Sequence, residues 1–100
     1  MRDVYLVGAA QSDFGAFPRE SYRSLFGEAF VGAVDSIDAP FDKSRIDEAF
    51  VGTLGVGGRQ LGLGRQAVTE YVGLDGDACT RVENACAASG SALRQAVTAI

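Results

Sequence analysis

Residues 78–93 run Ala78-Cys79-Thr80-Arg81-Val82-Glu83-Asn84-Ala85-Cys86-Ala87-Ala88-Ser89-Gly90-Ser91-Ala92-Leu93, and their reading decides the fold. Ala78 to Glu83 alternate as a β-strand does. From about Cys86 small residues dominate, and Leu93, Ala96, Val97 and Ile100 fall on one side of a helix. The Cys86 thiol is therefore expected where a strand gives way to a helix, near N–H groups left unpaired and the positive end of the helix dipole. Such a place favours a thiolate and offers backbone donors to an oxyanion on an attached acyl group. Asn84 is placed to cap the helix, and Ala87, Ala88, Ser89 and Gly90 keep the turn small enough for a bulky thioester to approach. On pattern alone two readings stand: Cys86 as a nucleophile, or as a small buried hydrophobe, which is the commoner role of a cysteine without a motif.

Working outward, the preceding elements repeat the strand-then-helix order. Residues 3–10, DVYLVGAA, are β-prone and apolar on both parities, as in a strand covered on both faces. After a loop with Gly15 and Pro18, residues 21–37 place Tyr22, Leu25, Phe26, Ala29, Phe30, Ala33, Val34 and Ile37 on one helical stripe, read as core rather than as a ligand wall. Asp38-Ala39-Pro40 breaks that helix, and residues 46–54, centred on Ala49-Phe50-Val51, read as a second strand. A glycine-rich stretch from Gly55 to Gly64 leads to a helical run from Arg65 to Val72. The order β-α-β-α-β-α predicts an α/β domain with a mainly parallel sheet between helices. The helix after Cys86 reaches Ile100 without a stop signal, so residues 1–100 are expected to be the first part of a larger domain, truncated within a helix.

Composition narrows the functions open to such a domain. With 47% hydrophobic and 22% charged residues the chain is globular, and its 100 residues allow one domain at most. The net charge of −4, from 9 Lys and Arg against 13 Asp and Glu, argues against nucleic acid or an anionic membrane as a partner. The apolar stretch near the N-terminus is too short for a signal-peptide core or a membrane span, so a cytoplasmic location is expected. Two cysteines, Cys79 and Cys86, make neither a disulfide framework nor a CxxC pair. There is no histidine, which excludes a Cys-His or imidazole-metal site built from these residues alone, and no metal is expected.

Val82-Glu83-Asn84-Ala85-Cys86-Ala87-Ala88-Ser89-Gly90-Ser91-Ala92-Leu93 resembles the nucleophilic-cysteine segment of thiolases, in the archaeal and sterol-carrier-protein-type branch. The remaining motifs resemble the same family in order: residues 3–15, DVYLVGAAQSDFG, its first strand and loop; Ile46 to Gly52, its second strand; Gly64-Arg65-Gln66-Ala67, the helix start before the cysteine strand. One departure stands out. The common form is Cys-x-Ser-Gly, whereas Ser89-Gly90 sit one place later, which leaves the role of Ser89 open.

The resemblance implies an N-terminal part of a thiolase-fold domain with Cys86 as the catalytic nucleophile. It implies acyl-CoA C-acyltransferase chemistry, most simply that of an acetyl-CoA acetyltransferase. Coenzyme A thioesters are then substrates, and no cofactor is bound permanently. The activating histidines and a second acid/base cysteine come from later sequence in the family, so residues 1–100 alone are expected to be inactive. A homodimer or tetramer is implied, with residues near 78–84 close to the twofold, and partner subunits of an acyl-CoA complex are possible. Two alternatives share the fold: a non-catalytic acyl-CoA-binding or scaffold subunit, and another condensing enzyme such as a ketoacyl or hydroxymethylglutaryl-CoA synthase. Cys79, without a helix terminus or motif, reads as a packed or interface thiol.

A competing pattern lies in the glycine-rich stretch. Gly62-Leu63-Gly64-Arg65-Gln66-Ala67 fits G-x-G-x-x-A with Glu83 about twenty residues on, as in a dinucleotide fingerprint. That fingerprint should follow its strand directly, but residues 55–61 intervene. Arg59 and Arg65 are candidates for a coenzyme A phosphate, against the plainer reading of surface arginines.

Overall fold

The computed structural model describes residues 2–54, 72–74 and 78–100. Helix α1 spans Tyr22–Asp35 and a short 3₁₀ turn spans Lys43–Arg45. Strands β1, Glu48–Gly52, and β2, Ala78–Val82, form a parallel pair, and a second 3₁₀ turn, Ala85–Ala87, leads into helix α2, Ala88–Ala99. The architecture is α/β, with a two-stranded parallel sheet and two helices among the described residues. The predicted helix at 65–72, save Val72, and the G-x-G-x-x-A motif with Arg59 and Arg65 lie outside the described residues.

Helix α1 begins where its sequence asks. Ser21 and Ser24 form a reciprocal capping box: each hydroxyl accepts from the other residue's backbone N–H, both at 3.1 Å. All eight residues of the predicted apolar stripe are half-buried, and Phe26 and Phe30 stack with ring centroids 6.5 Å apart. The helix stops at Asp35 because Ser36 turns its hydroxyl onto the Ala33 carbonyl, at 2.6 Å. The same hydroxyl accepts the Ala9 N–H at 3.0 Å, tying the N-terminal segment to the end of α1.

That segment departs from expectation. Residues 3–10 enter no ladder among the described residues, and Tyr5, Leu6 and Val7 are 77%, 80% and 64% exposed. A strand exists only by pairing, and the described sheet has just β1 and β2. Residues 2–6 instead line a groove with Leu93 and Val97 of α2.

The two strands run in register from Glu48 beside Ala78 to Gly52 beside Val82. The ladder is prolonged by Thr53, whose N–H donates to the Val82 carbonyl at 3.1 Å. Helix α2 packs on both strands. Its buried contacts are Ala88 and Ala92, one turn apart, whereas Leu93 and Ile100, expected on the packed side, are about 60% exposed. Small residues win the sheet-facing positions because they let the helix lie close: a Cβ on Gly52 would stand 2.7 Å from both the Ala88 carbonyl oxygen and the Ser89 Cα. The buried apolar residues among those described are Leu74, Val82, Ala88 and Ala92, so the core sits at this sheet–helix seam.

At the first 3₁₀ turn the Asp42 carboxylate caps Ser44, accepting its N–H at 2.9 Å. That backbone bond, then the Ser44 hydroxyl, hold the Asp42 carboxyl below its ordinary range; slight burial opposes them, and Arg45 adds a smaller push in the same direction.

Candidate functional site

The site is built on the turn that joins β2 to α2. Buried Val82 ends the strand, and Glu83, Asn84, Ala85, Cys86 and Ala87 all face solvent. Ala85 has φ of 46°, the one non-glycine residue with positive φ among those described. An L-residue in the left-handed region costs roughly 1–2 kcal/mol, so the surroundings must hold it there. The Glu83 carboxylate does so directly, by accepting the Ala85 N–H. Beyond it the chain winds into the 3₁₀ turn, with the Ala87 N–H donating to the Asn84 carbonyl at 2.9 Å and the Ala88 N–H to the Ala85 carbonyl.

Cys86 is the middle residue of that turn and is exposed among the described residues. The junction expected from the sequence is present, with the α-helix proper starting two residues after Cys86 rather than at it. Asn84 does not cap the helix. Its Nδ2 donates to Ser91 Oγ at 2.9 Å instead, bridging the turn to the first turn of α2. The N-cap position of α2 is Ala87, and no side chain caps it. The Ala87 and Ala88 amides are taken by carbonyls of the 3₁₀ turn, and no side chain covers the start of α2, whose partial positive charge lies two residues beyond the exposed Cys86. Chemically, the arrangement offers a nucleophile with backbone donors at hand and little bulk around it. A Cβ added at Gly90 would meet nothing within 4 Å.

Cys79 lies apart from this turn, half-buried in β2 opposite Ala49. Sequence reasoning passed over Ala85 and Ser91, and weighed Glu83 only as the acid of a dinucleotide fingerprint. The signal for Glu83 was its position two residues before Ala85, within reach of that amide; nothing about an alanine announces a left-handed backbone.

No family model matches the chain. Over 101 aligned positions, covering 97% of its length, it is 43% identical to an acetyl-CoA acetyltransferase of Methanocaldococcus jannaschii. Over 104 aligned positions, covering the whole chain, it is 34% identical to an acetyl-CoA acetyltransferase of Methanothermobacter thermautotrophicus. The chain belongs to the thiolase family. It spans about a quarter of the length of these relatives, 24% and 26%. The α/β arrangement of this thiolase chain, a parallel strand pair under α2, is that of a partial thiolase-fold domain. Among its described residues no helix is long and apolar enough to cross a membrane.

Proposed function

We propose that the protein containing this chain is an acyl-CoA C-acyltransferase, an acetyl-CoA acetyltransferase, and that Cys86 is its nucleophile. The observation that carries the reading is the exposed thiol in the turn between a parallel strand and an uncapped helix start. In the condensation direction the Cys86 thiolate attacks the thioester carbonyl of one acetyl-CoA. The tetrahedral oxyanion is met by the backbone N–H of Cys86, the C–S bond to coenzyme A breaks, and coenzyme A leaves as its thiol after taking up a proton. A second acetyl-CoA then loses an α-proton, and its carbanion attacks the acetyl-cysteine carbonyl. A C–C bond forms as the Cys86–acyl bond breaks, which returns the thiolate and releases a 3-ketoacyl-CoA. Thiolysis is the same path reversed.

Residues 1–100 form the N-terminal part of the thiolase domain on this reading, and the proton-transfer groups belong to the rest of the protein, since the chain contains no histidine. A homo-oligomer and a cytoplasmic location go with it. A second reading is a non-catalytic acyl-CoA-binding subunit, which catalytic histidines in the rest of the protein would argue against. One experiment separates them. The full-length protein is incubated with acetyl-CoA, and adducts are mapped by mass spectrometry. An acetyl group on Cys86, with condensation abolished in Cys86→Ala, is expected. An adduct on Cys79 instead, or activity retained in Cys86→Ala, overturns the assignment; coenzyme A binding without any adduct supports the second reading.

A further inference from the structure

Two side chains hold the turn that carries Cys86, and the chemistry proposed above uses neither. Glu83, at the end of β2, grips the turn through the Ala85 N–H. Asn84 ties it to α2, donating from Nδ2 to Ser91 Oγ at 2.9 Å. Directly after these two residues stands Ala85, in a backbone conformation that an alanine leaves unless it is held. Released, Ala85 returns to negative φ and the peptide that follows it rotates. That peptide carries the Cys86 N–H, and its rotation swings the Cys86 side chain as well.

We propose that Glu83 and Asn84 are positioning residues for Cys86, a clamp that keeps Ala85 left-handed so that the thiol and the first amides of α2 hold a single geometry toward an acyl thioester. The inference rests on the reading of Cys86 as nucleophile. It differs from a general stabilising role in acting on the rate of acyl transfer and not on the binding of the acyl-CoA. Glu83 brings a charged acceptor, which forms a stronger bond to an amide than a neutral one does, and its geometry survives in glutamine.

The test is single-turnover acetylation of Cys86 in the full-length protein, with the acetyl-CoA concentration varied and amide hydrogen exchange measured alongside. Glu83→Ala is expected to lower the limiting rate by about 10- to 100-fold, the scale of a misplacement of about 1 Å at a reacting group, with the half-saturating acetyl-CoA concentration unchanged. Glu83→Gln, which keeps an acceptor oxygen, recovers most of that loss, and Ser91→Ala shifts the rate in the same direction as Glu83→Ala. The Ala85 amide exchanges faster in Glu83→Ala while the later amides of α2 keep their protection. A parental rate in Glu83→Ala, a change confined to half-saturation, or no recovery in Glu83→Gln overturns the clamp. Should the parent protein take no acetyl group on Cys86, the functional reading fails by itself; the clamp is then judged on the Ala85 amide, whose unchanged exchange in Glu83→Ala refutes it. Should Glu83→Ala not fold, Glu83→Gln decides in its place, and loss of Ala85 protection there refutes the clamp.

Discussion

Replacing Gly52 with alanine tests how the sheet sets the height of the helix that follows Cys86. Gly52 ends β1, beside Val82 in the ladder, and its Cα faces the first turn of α2. A Cβ there would lie 2.7 Å from the Ala88 carbonyl oxygen, 2.7 Å from the Ser89 Cα and 2.8 Å from the Ala88 carbonyl carbon. All three are backbone atoms, so no side chain can swing aside. Carbon atoms settle about 3.5–4.0 Å apart, and the first turn must therefore retreat by roughly 0.8 Å or β1 must bend by as much. Forcing one methyl group into such a seam costs about 1–3 kcal/mol. The same displacement moves the turn holding Cys86, and a shift of this size at a reacting group lowers a rate by up to about 100-fold. Urea unfolding of the full-length protein reads the first effect, and single-turnover acetylation of Cys86 reads the second. Gly52→Ala should lose on both, with Gly52→Ser no better. A Gly52→Ala protein with parental stability and a parental acetylation rate would refute the reasoning, because it would show that the seam has room for a methyl group.

The opposite sign is expected at Gly90, which lies in α2 with open space where a Cβ would go; Gly90→Ala should stabilise by about 0.5–1 kcal/mol, and a loss in urea unfolding would contradict the open geometry. Asp42 should titrate, by NMR, below the unperturbed aspartate value of about 3.9, since the Ser44 backbone and hydroxyl bonds outweigh its slight burial. Because the folded pKa is the lower one, its contribution to stability is complete above the unfolded value and disappears as pH falls through the folded one. A midpoint at or above the unperturbed value, or an Asp42→Asn protein with the parental acid limb, would count against this cap.

How much of this was legible in the sequence differs from element to element, for physical reasons. Helix α1 was readable because its signal is local, an apolar stripe at helical spacing, and the structure adds a serine cap at its start. The centres of β1 and β2 were readable because Ala49-Phe50-Val51 and the alternation through Val82 suit a pleated surface, though β1 is shorter at both ends than its apolar run. Residues 3–10 show the same propensity yet stand outside the ladder, since propensity describes a residue and pairing describes two chain segments. On α2 the large apolar side chains misled. Leu93 and Ile100 suggested the packed face, but the distance of closest approach is set by Ala88, Ala92 and Gly52. At the candidate site, the position of Cys86 between strand and helix followed from pattern and from the family resemblance. The left-handed Ala85 and the bonds made by Glu83 and Asn84 did not, because they arise from the turn closing on itself and on Ser91.

These particulars bear on why small residues cluster around Cys86. Read from the sequence, Ala87, Ala88, Ser89 and Gly90 suggested open access for a bulky thioester, and at Gly90 the open space agrees with that. Ala88 serves a different end. It is buried, its carbonyl lies against Gly52, and any larger side chain there would lift α2 off the sheet. Lifting α2 would carry Ser91 away from Asn84 and loosen the turn from its helical side, leaving Glu83 alone to hold Ala85. On the clamp proposed above, the geometry at the exposed Cys86 would therefore depend on contacts that Ala88 makes on the buried side of the same segment. The neighbouring small residues thus differ in role: Gly90 borders open space, while Ala88 and Gly52 bring helix and sheet close together.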